Sequence, residues 1–66
     1  MDEPDPGTVQ YLFDNIRLYS GNVTYEDARI AVYNIILAGD VPGLVDKFGV
    51  PPDVADMLFA EVRCRE

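Results

Sequence analysis

Read for the spacing of its apolar positions, the chain falls into four stretches of helical period separated by glycine, proline and polar turns. Val9, Leu12, Phe13, Ile16 and Tyr19 follow one another at steps of three and four, the signature of one buried helix face. They predict an amphipathic helix with Thr8 as its N-cap, ending near Ser20 with Gly21 as the left-handed stop. Asp14 and Arg17 lie three apart on its other side, spaced for a weak ion pair.

The run Ala28-Arg-Ile-Ala-Val-Tyr-Asn-Ile-Ile-Leu-Ala38 is the most apolar of the chain. Arg29 and Asn34 alone interrupt it, and at about 100° per residue they fall about 140° apart, which leaves no clean polar stripe. A helix apolar nearly all round belongs in the middle of an assembly of neighbours. β-Branched Ile30, Val32, Ile35 and Ile36 would also suit a strand. Length, three alanines and a start signal decide for helix: Thr24 can cap it, with Glu26 and Asp27 in the first turn where the helix dipole favours acids. Gly39 closes it. Tyr25, Arg29 and Tyr33 fall at i, i+4 and i+8 and place a cation between two phenol rings on one edge, the chemistry of an interaction hot spot.

Asp40 can cap a third, short helix with Pro42 in its first turn, Leu44, Val45 and Phe48 on its inner face and Gly49 at its end. Pro52 and Asp53 suit the first turn of a last helix. There Val54, Ala55, Leu58, Phe59 and Val62 form the apolar stripe, and Arg63 and Arg65 occupy the last turn. The expected architecture is all-α, a compact bundle of about four short helices. Residues 1–7, acidic and rich in proline, read as a flexible arm, and residues 8–66 as a single helical domain.

The stretch Leu44-Val-Asp-Lys-Phe-Gly-Val-Pro-Pro-Asp-Val-Ala-Asp-Met-Leu58 resembles the helix-turn-helix of transcriptional regulators: two short helices joined by a turn with glycine and then an apolar residue. The resemblance spans about a quarter of the chain and implies a dimer that binds DNA. The stretch departs from the pattern in two ways. Val54 comes one place early for the buried residue of the second helix, where Ala55 can serve instead. A recognition helix also needs Arg, Lys, Asn or Gln near its N-terminus to reach bases and phosphates, whereas this one offers Pro52, Asp53, Asp56 and Met57.

Length and charge sharpen the picture. Sixty-six residues lie near the lower limit for a stable domain, since a chain of roughly 60 residues buries only about 60% of its unfolded surface. Such domains lean on a staple, a metal or a partner. A single cysteine, Cys64, and the absence of histidine remove the first two routes. With 48% apolar residues, a homo-oligomer, most simply a dimer, is the expected remedy. Twelve acidic against five basic side chains give a net charge of −7. That field repels phosphate backbones and anionic membranes and attracts basic partners.

Catalysis finds no support. Ser20, the one serine, has no evident base, and Cys64 lies between Arg63 and Arg65 without a general base. No Asp-x-Asp-x-Asp-Gly calcium loop occurs, so no enzyme, metal or cofactor is assigned. No leader or membrane-spanning run is apparent, and the chain reads as cytoplasmic.

The function these features favour is a small acidic regulator or inhibitor, able to mimic DNA, that covers a basic surface of a partner protein. Asp46, Asp53 and Asp56 would supply its charge, and Tyr25, Arg29 and Tyr33 an aromatic patch. The alternatives are a dimeric helix-turn-helix regulator and a structural or assembly subunit.

Overall fold

The computed structural model describes residues 4–66, and of Ile36 and Leu37 the backbone only. Met1, Asp2 and Glu3 of the expected arm lie outside the described residues. The chain forms four helices, α1 (Pro6–Ile16), α2 (Tyr25–Ala38), α3 (Val41–Phe48) and α4 (Pro52–Arg65), the all-α bundle that the apolar periods predict.

α1 starts two residues ahead of the Thr8 cap. Asp5 is its N-cap, accepting the Thr8 amide hydrogen at 3.2 Å, with Pro6 in the first turn. Pro6 and Gly7 therefore belong to the helix. A proline at the first helical position lacks only an N–H that the helix would leave unused, and its fixed φ suits the turn. The far end also differs from the pattern. The α-helix stops at Ile16 and passes into a turn in which the Tyr19 and Ser20 amides both donate to the Ile16 carbonyl. Gly21 does not adopt the left-handed conformation. Tyr19, expected on the buried face, is exposed, because past Ile16 the chain leaves the surface that α1 packs against.

The other boundaries follow the residues that signal them. Thr24 and Asp27 form a reciprocal capping box at the start of α2. Asp40 accepts the Gly43 amide hydrogen at 3.1 Å to start α3. Gly39 and Gly49, at φ of 63° and 67°, end α2 and α3. A Cβ at Gly49 would meet no atom of the described residues beyond its chain neighbours within 4 Å, so substitution there meets a backbone cost and no clash among them. Gly49→Ala is expected to lower stability by about 1 kcal/mol, the penalty of the left-handed region for an L side chain, as read from the midpoint of urea unfolding.

One core runs through all four helices. Val9, Leu12 and Ile16 of α1, Ala28, Ala31, Val32 and Ile35 of α2, Leu44 of α3, and Ala55, Leu58 and Val62 of α4 are buried, with Val50 anchoring the α3–α4 turn. α1 packs chiefly on α2 and α3 chiefly on α4, and α4 also rests on α1 and α2. Among the described residues, α3 touches α2 only slightly.

The fold measures 27 × 20 × 15 Å. Helices packed face to face sit about 8–10 Å apart, so the shortest dimension holds two layers of them. No helix in two layers can be enclosed, and α2 is not. Among its described side chains the buried stripe, Ala28, Ala31, Val32 and Ile35, is one-sided, while Ile30 is 45% exposed and Tyr33 36%.

Candidate partner-binding surface

The six residues singled out by sequence occupy different parts of the surface. Asp53 and Asp56 stand three apart on α4 and share one exposed face. That face also carries Met57, 53% exposed, and is turned away from the Ala55, Leu58 and Val62 stripe. Asp46 is exposed on α3, on the side opposite buried Leu44. The α3–α4 pair thus presents carboxylates outward on both sides of its turn.

What makes these acids notable is how the basic residues are used. Arg17 lies over the Phe13 ring at 5.6 Å and Arg63 over Phe59 at 5.4 Å. Arg65 reaches from α4 to the Tyr11 ring of α1 at 4.5 Å and donates to Glu61 at 3.1 Å. The Arg29 guanidinium pairs with the Glu26 carboxylate. Four of the five basic side chains therefore spend their charge within their own fold. Asp46, Asp53 and Asp56 have no ion-pair or hydrogen-bond partner for their carboxylates among the described residues. The expected Asp14–Arg17 pair does not form either: Asp14 accepts from Gln10 at 2.9 Å instead.

Tyr25, Arg29 and Tyr33 do share an edge of α2, as their spacing requires. Each has a different task, however. Tyr25, 44% exposed, packs edge-on against Phe13 of α1, ring centres 6.1 Å apart. Arg29 binds Glu26, and its hydrogen bond holds that carboxyl below the ordinary carboxylate range. Tyr33 stands at the rim. This edge ties α1 to α2 and leaves phenol surface open at its margin.

A feature that residue spacing did not single out lies on the opposite flank of the α2 stripe. Because α3 hardly touches α2, a furrow of about 270 Å³ opens between them, lined by Asp27, Ile30, Ala31, Asn34, Lys47 and Phe48. It continues toward Asp40, Gly43 and Leu44 at the other end of α3. Its sequence signal was present in Asp27, Ile30 and Asn34, which recur at helical spacing, but naming its second wall requires knowing where α3 lies.

Compared with known proteins, the chain matches no family model, no curated protein and no solved structure.

Proposed function

We propose that this chain is a small acidic protein-binding module, a regulator or inhibitor that acts by covering a basic surface on a partner protein. The observation that carries this reading is the distribution of charge. The arginines are turned onto rings and carboxylates of the same chain, while Asp46, Asp53 and Asp56 stand exposed on α3 and α4 and, among the described residues, without an ion-pair or hydrogen-bond partner. With a net charge of −7, association with a cationic surface is accelerated by steering and weakened by salt. A nucleic-acid-binding groove is the basic surface that such an array suits best, since carboxylates can stand where phosphates would.

The same acids weigh against the helix-turn-helix reading, because α4 would present Asp53 and Asp56 to the DNA backbone. Carboxylates there add repulsion and release no counterions. The experiment is binding to a panel of basic nucleic-acid-binding proteins, with random duplex DNA as the competing ligand, across a salt series. The Asp46→Asn, Asp53→Asn, Asp56→Asn triple variant is expected to bind its partner at least about tenfold more weakly at low salt, with unchanged helical circular dichroism. Retention of duplex DNA, or binding indifferent to the triple substitution, would reject the proposal.

A further inference from the structure

The furrow between α2 and α3 has a composition that matches itself. Its floor is apolar, from Ala31 and Phe48, and Ile30 stands at its rim as a half-exposed knob. Three polar groups border its wider part. Asp27 contributes a carboxylate with one oxygen taken by the Thr24 amide and the other open. Lys47 is exposed and meets no carboxylate within ion-pair distance among the described residues. Asn34 is half-buried, and its carboxamide, both donor and acceptor, has no hydrogen-bond partner among them. One acid, one amine and one amide form a set that a twofold rotation pairs with its own copy. Asp40, at the far end, is engaged in capping α3.

At about 270 Å³ and open to one side, the furrow falls just below the roughly 300–1,000 Å³ of small-molecule pockets, and it suits a protein side chain better than a metabolite. A basic partner would find its complement on the outer faces of α3 and α4, whose Asp46, Asp53 and Asp56 do not line the furrow. We infer that the furrow is a self-association surface: a second copy of this chain docks on it about a twofold axis, Ile30 of each copy entering the furrow of the other, Lys47 facing the second copy's Asp27, and the two Asn34 carboxamides pairing. The dimer leaves the acidic faces of α3 and α4 outward. It is therefore independent of the partner-binding proposal.

Sedimentation over a concentration series tests it. The wild-type mass is expected to rise from one chain of 7.4 kDa to two, and to do so more readily as salt is added. Each copy carries −7, and salt screens the repulsion between them, the opposite of its effect on binding to a cationic partner. Ile30→Glu is expected to weaken the dimer at least about tenfold, as is Lys47→Glu. Both positions are exposed, and should Ile30→Glu lose helicity, Lys47→Glu gives the same reading. A single-chain mass at every concentration and salt overturns the proposal. A dimer whose dissociation constant neither substitution changes overturns it as well, because the copies then meet on another face.

Discussion

Ile35→Ala is expected to lower the unfolding free energy by about 2–5 kcal/mol, the range for removing a buried isoleucine or leucine side chain. Ile35 is 2% exposed and lies on the α2 stripe that packs against α1 and α4. Three methyl-sized groups leave, and neighbours already in contact can close the gap only in part. Alanine is the better helix former, which returns a few tenths of a kcal/mol, so the observed loss is a net one. For a chain of this length, total stability at about 0.05–0.15 kcal/mol per residue comes to roughly 3–10 kcal/mol. The substitution then removes a large part of what holds the domain folded. Urea unfolding followed by circular dichroism measures it. Ile30→Ala in the same helix, measured at protein concentrations where the chain sediments as a single copy, is the control: at 45% exposure, with alanine's helical preference in its favour, it should cost less than about 1 kcal/mol. Equal losses at the two positions would contradict the one-sided burial of α2.

The contrast between those two isoleucines marks where the residue pattern stopped informing. The presence of α2 was legible, because Thr24, Asp27 and Gly39 bound it with their own chemistry and the backbone obeyed them. Which of its apolar residues would be covered was not. Coverage depends on how many helices surround α2, and two layers in a 15 Å thickness cannot enclose it however apolar it is. The same limit applies to the candidate site. Asp46 could be read as exposed from its place opposite Leu44, and Asp53 and Asp56 from theirs opposite the Ala55, Leu58 and Val62 stripe, in each case by helical period on a single element. The furrow could not, since Lys47 and Phe48 come from α3 and meet Asp27, Ile30 and Asn34 only through tertiary placement. Arg65 stacking on Tyr11 is of the same kind, as is the Asp5 amide donating to Glu66 at 3.1 Å. These link the two ends of the chain, and no local pattern announces such contacts.

The start of α1 offers a test whose sign decides between two readings. Thr8 has the residue type and position of an N-cap ahead of an apolar period, and a capping threonine loses about 0.5–2 kcal/mol when its oxygen is removed. In the structure Asp5 holds that role through its acceptance of the Thr8 amide hydrogen. Thr8 sits inside the first turn, 1% exposed, and its hydroxyl oxygen has no hydrogen-bond partner among the described residues. A buried hydroxyl without a partner costs about 1–3 kcal/mol of desolvation. Valine keeps the branched shape and removes the polar atom, so Thr8→Val is expected to raise stability, by about 1 kcal/mol after imperfect packing of the added methyl. Asp5→Ala, at the true cap, is expected to lower it by about 1 kcal/mol. Parallel urea titrations of both variants supply the answer. Destabilisation by Thr8→Val with Asp5→Ala neutral would return the cap to Thr8 and detach Pro6 and Gly7 from the helix. Opposite shifts in the expected directions would mean that the acidic residue before Pro6 fixes where α1 begins, and with it the alignment of Val9, Leu12 and Ile16 on the core.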